Sequence, residues 1–160
     1  MSTKSQIAKV VEVLNQARSM ELYGIVQYMN QHYGLGGDDY EKLASALKKI
    51  AKDEMKHAEA FAERIKDIDN SLEPTTALAG KITTGQNVTE IFGFNTEAEE
   101  DTIEKYGEFA KICRENADPV SAVLFEKISV EEQEHLNYFS DTAAHIKNLG
   151  NSFLARQTGE

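Results

Sequence analysis

Cysteine is almost absent from this sequence, and its scarcity excludes whole classes of site. Of the 160 residues, Cys113 is the only cysteine, two residues are proline and none is tryptophan. An internal disulfide needs two cysteines, and zinc or iron–sulfur sites rich in thiolate need several. The sequence therefore excludes disulfides and thiolate-rich metal sites.

Basic side chains and long apolar runs are also scarce. Seventeen lysines and arginines face twenty-seven acidic residues, which gives a net charge of −10. That balance disfavours nucleic acid, whose phosphates need a positive face, and it suits small cations. No apolar stretch approaches the roughly 18 residues of a membrane span, and no basic segment followed by an apolar run opens the chain. We expect a cytoplasmic protein with no membrane partner.

The remaining composition is that of an ordinary globular chain. Hydrophobic residues make up 41% and charged residues 28% of the sequence. These fractions do not indicate disorder. A length of 160 residues suits one domain, which we expect to span residues 1–160.

Apolar residues recur at helical spacing in the first part of the chain. Residues 4–33 carry one such stripe, and Gly34 is expected to end that helix. Asp38 or Asp39 is expected to cap a second helix that continues to about residue 68.

The second part of the chain repeats this order after a long connection. Residues 69–86 have the composition of a connection, and the segment NVTE at 87–90 has the spacing of a capping box for a third helix. Asp-Pro at 118–119 predicts the start of a fourth helix, which Gly150 would end. A short terminal helix is expected at about 151–157.

Two helical hairpins, at 4–68 and 87–149, joined by the crossover 69–86, make an all-α four-helix bundle with one long connection. No alternation typical of strands interrupts this pattern.

The two halves also resemble each other in sequence. A shift of 78 residues places a glutamate on a glutamate, a histidine on a histidine and a tyrosine on a tyrosine. The halves therefore look like copies of one hairpin, related by a pseudo-two-fold axis. The matched pairs that bear on a possible site are Glu21 with Glu99, Tyr28 with Tyr106, Glu54 with Glu132 and His57 with His135.

The repeated residues predict a site for two metal ions. Glu54 and His57 are three residues apart, as are Glu132 and His135, so each pair lies one turn apart on one side of a helix. Four carboxylates and two imidazoles inside a bundle would be costly as bare charges, and divalent cations relieve that cost. One glutamate from each of two helices and Glu-x-x-His from each of the other two is the ligand set of di-iron carboxylate bundles. These ligand types accept iron, manganese or zinc.

Simpler interpretations compete with several of these assignments. One Glu-x-x-His alone is usually a solvated surface pair, but the duplicated set with matched separations outweighs that reading. The HExxH motif of zinc proteases is absent because Asp53 stands where it needs a histidine. On the third helix, several glutamates crowd together, and the symmetry selects Glu99. Tyr28 and Tyr106 are as consistent with core packing as with a role beside the metals. Asp53 and Glu131 precede the ligand glutamates, where a solvated face is the simpler reading and support of the ligands the alternative.

Four segments resemble the bacterioferritins, and the similarity covers nearly the whole chain. They are MELYGIVQYM around Glu21, DEMKHAEAFAERI around Glu54, EEQEHLNYF around Glu132 and the tail LGNSFLARQ. The first three contain five of the six predicted metal ligands, and Glu99 lies outside them. The fourth matches the short fifth helix of that family.

This resemblance implies a ferritin-like fold and a specific activity. It implies a shell of 24 subunits, built from two-fold dimers, that oxidises Fe(II) with O2 or H2O2 at a di-iron ferroxidase centre and stores ferric mineral. Glu54 and Glu132 match the family's bridging ligands, and Tyr28 matches the tyrosine beside the centre. The redox partner for iron release is left unidentified.

Met55 raises the question of a second cofactor. It matches the methionine that binds haem b across a two-fold subunit interface in the bacterioferritins, and it points about 100° away from the metal face. The polar face that carries Lys48 and Lys52 is unlike an apolar haem slot, although these lysines can pair with haem propionates. A methionine packed at a subunit contact is the alternative. Lys49 departs from the family's frequent histidine and leaves the usual iron-transfer route in doubt.

Two other functions fit parts of the pattern. A rubrerythrin-like di-iron peroxidase has a similar bundle, but such proteins usually carry a cysteine-bound iron site that this chain lacks. A bundle that binds zinc or manganese without turnover is the second alternative.

Overall fold

The computed structural model describes residues 1–159 as a bundle of four long helices followed by a short helical tail. The long helices are α1 (Lys4–Gly37), α2 (Glu41–Ile68), α3 (Val88–Glu115) and α4 (Pro119–Leu149), and α5 (Asn151–Leu154) continues into a 3₁₀ turn at Ala155–Gln157. No strand occurs among residues 1–159. The predicted all-α four-helix bundle with one long crossover and a short fifth helix is confirmed. Within this described range, no helix is long and apolar enough to cross a membrane.

Local sequence signals explain where three of the long helices begin. Thr3 caps α1 and forms a reciprocal capping box with Gln6. Asn87 and Glu90 form the predicted box at the start of α3. At α4, the side chain of Asp118 accepts a hydrogen bond from a backbone amide, and proline occupies the first helical position, as predicted.

The first turn of the chain differs from its prediction. Helix α1 does not end at Gly34 but continues to Gly37. Leu35 is fully buried, and burying a leucine is worth about 1.5–3 kcal/mol, more than the roughly 1 kcal/mol that a glycine costs in a helix. Asp38 and Asp39 do not cap α2, because Asp39 adopts a left-handed conformation (φ 66°) and Tyr40 takes the cap position without a side-chain hydrogen bond.

The core is divided into two apolar clusters, one toward each end of the bundle. One includes Leu14, Phe61 and Phe125, and the other includes Leu47 and Phe139. Along α2, Ala51 belongs to one cluster and Phe61 to the other, so residues 52–60 cross the middle of the bundle. Polar residues occupy this middle layer.

Candidate metal centre

Six buried polar residues meet between the two apolar clusters. They form two groups of four that share two glutamates, and within each group the ligand atoms lie within 4.8 Å of one another. Each group takes residues from three helices. The first group is Glu21, Glu54, His57 and Glu132, and the second is Glu54, Glu99, Glu132 and His135. The structure thus brings together all six residues that the sequence singled out.

Helical spacing explains how each pair reaches the same point. His57 follows Glu54 by three residues on α2, and His135 follows Glu132 by three on α4, so each pair projects from consecutive turns. The relative accessibility of these four residues is 0–5%. Inward projection from α2 and α4 therefore places both histidines beside both shared carboxylates.

The Nδ1 atoms of the two histidines face the carboxylates. His57 Nδ1 lies 3.1 Å from Glu132 Oε1, 3.6 Å from Glu21 Oε2 and 3.7 Å from Glu54 Oε1. His135 Nδ1 lies 3.0 Å from Glu132 Oε2 and 3.1 Å from Glu54 Oε1. Each of the shared glutamates is therefore close to both imidazoles.

The Nε2 atoms point the other way, to carboxylates that belong to the opposite helix. His57 on α2 donates from Nε2 to Glu131 of α4 (2.8 Å), and His135 on α4 donates to Asp53 of α2 (3.0 Å). The side chains of Glu131 and Asp53 are 53% and 35% exposed, so they form the outer edge of the site. The sequence favoured a simple solvated face for these two acids, and it gave no signal for the exchange of partners between helices.

Two buried tyrosines complete the ring of contacts. Tyr28 donates a hydrogen bond to Glu99 Oε1, and Tyr106 donates one to Glu21 Oε1, each at 2.5 Å. Each tyrosine lies on the first helix of one hairpin and donates to the glutamate on the first helix of the other. The pseudo-two-fold relation found in the sequence is therefore present in the hydrogen bonds.

Burial dominates the ionisation of the carboxylates. It raises the pKa of Glu21 to about 7, with help from the charge of Glu132. Burial and then the neighbouring carboxylates raise the pKa values of Glu54 and Glu99 well above their usual range. Glu132 differs because hydrogen bonds from both histidines outweigh burial and lower its pKa below the usual range.

The histidines show the opposite balance. Burial acts to lower the pKa of His57, but its hydrogen bonds to Glu132 and Glu21 outweigh burial and raise the pKa to about 11. His135 is raised for the same reason, through Glu132 and Asp53. In the metal-free protein, protons on these groups offset the buried negative charge.

Three carboxylate oxygens test whether a metal fits this site. Glu21 Oε2, Glu54 Oε1 and Glu99 Oε2 are buried and have no hydrogen-bond partner. A buried acceptor without a partner is unfavourable by about 1–3 kcal/mol, more if charged. Cations placed among these oxygens and the two Nδ1 atoms would satisfy all of them. The donor set, four carboxylates and two imidazoles, suits iron, manganese or zinc.

A cavity of about 240 Å³ reaches the centre from the side of α1 and α3. Glu54, Glu99 and Tyr28 form part of its lining, and crossover residues 79–81 also line it. Gly24 lies at its inner end, where a methyl group at the Cβ position would stand 3.1 Å from Glu54 Oε2. The lining therefore joins the crossover to the buried carboxylates.

Met55 lies on a different surface. Its side chain is 57% exposed and borders an open groove of about 640 Å³ between α1 and α2. Leu22 and Ile25 contribute apolar surface to this groove, and Lys52 and Lys56 contribute charge. Lys48 is not among the residues that line it. This groove does not connect with the six polar residues, apart from sharing helix α2 with them.

The remaining single residues have local contacts. His32 Nδ1 lies 2.6 Å from the carbonyl oxygen of Ala44, and the ring of His145 lies 5.3 Å from that of Phe153. Cys113 is buried, and burial raises the pKa of its thiol to about 12.

The fold and the paired clusters define a class of protein, the helical bundles that hold metal ions with carboxylates and histidines. The sequence model of the ferritin-like domain matches residues 11–149. The chain is 54% identical over 152 residues to a bacterioferritin of Desulfovibrio desulfuricans. This alignment covers 95% of the present chain and 84% of the relative. The chain belongs to the bacterioferritin family.

Solved structures agree with this assignment. A crystal structure of the Desulfovibrio desulfuricans bacterioferritin, described by its di-iron site in different catalytic states, has a TM-score of 0.94 and 52% identity. The match covers 98% of this chain and 90% of the chain in that crystal structure. Mycobacterium tuberculosis bacterioferritin BfrA has a TM-score of 0.89 at 29% identity, and the match covers 99% of this chain and 98% of that one.

Proposed function

We propose that this protein stores iron and oxidises Fe(II) at a di-iron ferroxidase centre inside each subunit. The observation that carries this proposal is the pair of overlapping clusters, with three buried carboxylate oxygens that lack any partner. Membership of the bacterioferritin family supports iron over manganese or zinc. The 54% identity to a bacterioferritin over 95% of the chain favours storage over a rubrerythrin-like peroxidase or a bundle without turnover.

The proposed ligands divide into three roles. Glu54 and Glu132 would be shared by the two ions, because each belongs to both clusters. Glu21 and His57 complete one ion's ligands. Glu99 and His135 complete those of the other. Iron held there supplies electrons in pairs to O2 or H2O2.

The residues of this chain bind, orient and exclude water around that chemistry. Glu131 and Asp53 hold the Nε2 atoms, which leaves the Nδ1 atoms free to bind metal and fixes the orientation of the rings. Tyr28 and Tyr106 hold one oxygen of each terminal glutamate. The apolar clusters on both sides, with Phe61 and Phe139 nearest in sequence to the histidines, limit access of solvent.

Stopped-flow absorbance tests the assignment of the centre. Mixing the metal-free protein with Fe(II) and oxygen should give a fast oxidation phase in the wild type. Glu54→Ala should abolish that phase because it removes a ligand from both ions. Glu63→Ala on the same helix is the matched control, since Glu63 is exposed and lies outside both clusters. A Glu54→Ala protein that oxidises iron at the wild-type rate would show that the assigned residues are wrong.

A storage function also requires a large assembly. We propose a shell of 24 subunits built from two-fold dimers, with net charge −10 per chain drawing Fe(II) toward it. Size-exclusion chromatography with light scattering and metal analysis should give the mass of 24 chains and about two metal ions per chain before mineral forms. A stable dimer would contradict storage.

Met55 supports a further proposal, that haem b binds between two subunits. The methionine is exposed beside a largely apolar groove, and the positive charges of Lys52 and Lys56 at that groove complement the negative haem propionates. Protein produced with a haem supply should show a Soret band that Met55→Leu shifts or removes. A band unchanged in Met55→Leu would exclude the methionine as a ligand.

A further inference from the structure

Tyr106 is a buried residue that contacts the centre without belonging to either metal cluster. Its side chain is fully inaccessible, and its hydroxyl donates a 2.5 Å hydrogen bond to Glu21 Oε1. The hydroxyl oxygen of Tyr106 also lies 3.4 Å from the carbonyl oxygen of Ala17, which is a longer and weaker contact.

The hydrogen bond leaves the two oxygens of Glu21 in different environments. Oε1 is occupied by the tyrosine, whereas Oε2 is buried, lacks a partner and lies 3.6 Å from His57 Nδ1. Glu99 shows the same division, with Oε1 bound by Tyr28 and Oε2 without a partner. In both halves of the bundle, a tyrosine therefore leaves one carboxylate oxygen available.

The ring of Tyr106 has three aromatic neighbours, whereas the ring of Tyr28 has one. Its ring packs against Phe61, Phe125 and Phe109, with centroid distances of 5.7, 5.4 and 6.2 Å. Tyr28 instead lines the cavity that reaches the centre. Close packing on the ring of Tyr106 fixes its hydroxyl, since buried aromatic side chains have few alternative rotamers in a dense core.

We propose that Tyr106 is a positioning residue of the metal centre, which holds Glu21 Oε1 so that Oε2 alone binds the ion shared with His57. This role rests on the proposed di-iron function. A ligand held at one oxygen binds through the other, and hydrogen-bond partners of ligands contribute about 10- to 100-fold to metal affinity. Without the hydroxyl, Glu21 is free to rotate or to bind through both oxygens.

Cobalt(II) is a suitable probe because its visible absorbance reports ligand number and it does not require oxygen. Titration of the metal-free wild-type assembly should give two ions per subunit. Tyr106→Phe keeps the aromatic ring and removes only the hydroxyl. It should weaken one of the two ions by about 10- to 100-fold and change its absorbance, with the other ion unaffected.

A second background separates positioning from a general loosening of the core. In His57→Ala, we expect only the ion bound by Glu99 and His135 to remain. Tyr106→Phe added to that variant should leave the remaining ion's affinity unchanged, whereas Tyr28→Phe should weaken it.

Two results would overturn the role of Tyr106. One is wild-type cobalt affinity and absorbance in Tyr106→Phe, and the other is equal weakening of the remaining ion by both tyrosine variants. Failure of the wild type itself to bind two ions would instead refute the di-iron function, so the two failures are distinct.

Discussion

Metal loading should release about four protons per subunit at pH 7, because protons and metal ions compete for the same buried groups. The perturbation is the addition of two equivalents of Zn²⁺ or Co²⁺ to the metal-free protein. These ions avoid the additional protons that oxidation of iron would produce. The expected number follows from the ionisation of the six candidate ligands.

The pKa values of five of those ligands are raised, which favours protons on the metal-free site. Burial raises the pKa values of Glu54 and Glu99 well above 4.5, which favours their neutral forms, and His57 is charged at pH 7 because its pKa is about 11. Glu21, with a pKa of about 7, carries about half a proton. The pKa of His135 is also raised from 6.5, through its hydrogen bonds to Glu132 and Asp53, which favours its charged form. Metal binding requires carboxylates and neutral imidazoles, so these protons leave when the ions bind.

The charge balance of the site sets the expected number at about four. Four carboxylates and two divalent ions are neutral together, and the protonated metal-free site is close to neutral as well. Burial of net charge is costly, so exchange of two ions for about four protons keeps the interior near neutrality in both states.

The direction of the pH dependence follows from the same competition. Affinity should rise with pH, and the logarithm of the product of the two binding constants should increase by about four per pH unit near pH 7. Between pH 6 and pH 8 the number released should fall by roughly one, as Glu21 loses its proton in the metal-free state.

Calorimetric titration in two buffers with different ionisation enthalpies measures the protons released. Glu63→Ala serves as the control, because Glu63 is exposed and outside the centre. Release of one proton or none at pH 7 would refute the reasoning, since the buried carboxylates would then already be ionised without metal.

Three further predictions concern stability and the shape of the site. Asp118→Ala should lower the free energy of unfolding by about 2–3 kcal/mol at pH 7, because the carboxylate caps α4 and binds Arg64 through both oxygens at 3.1 Å. Burial acts to raise the pKa of Asp118, but its hydrogen bonds outweigh burial and lower the pKa below 3.8. This stabilisation is therefore present above about pH 4 and is lost as the pH falls further. In urea unfolding, the difference in free energy between the wild type and Asp118→Ala should be smaller at pH 3 than at pH 7. Gly24→Ala should weaken Co²⁺ binding, since the added methyl group stands 3.1 Å from Glu54 Oε2; unchanged affinity in the cobalt titration would mean that the carboxylate moves freely. Phe61→Ala should lower the free energy of unfolding by about 3–5 kcal/mol, because the side chain is fully buried, and thermal unfolding should show the loss. A loss below about 1 kcal/mol would indicate that the core collapses around the gap.

The sequence predicted the fold and the grouping of the six polar residues because both depend on short-range spacing. Glu54 and His57 are three residues apart, and helical geometry alone places them together. The internal repeat then related the two hairpins and selected Glu99 among neighbouring glutamates. The signals at Asn87 and Pro119 were also local, and both were confirmed.

Features that depend on packing between helices could not be predicted in this way. Continuation of α1 past Gly34 depends on burial of Leu35, which is decided by the opposite helices. The bonds from His57 to Glu131 and from His135 to Asp53 depend on the offset between α2 and α4. No spacing within one helix encodes that offset.

The distribution of ligands over the helices has a consequence for the assembly of the bundle. Each cluster combines residues from the α1–α2 hairpin with residues from the α3–α4 hairpin. Bound ions would therefore act as cross-links between the two halves, a role that disulfides serve in chains with more cysteine. Such cross-links are reversible and depend on metal supply. The stability of the contact between the two hairpins would then depend on how much iron is available to the protein.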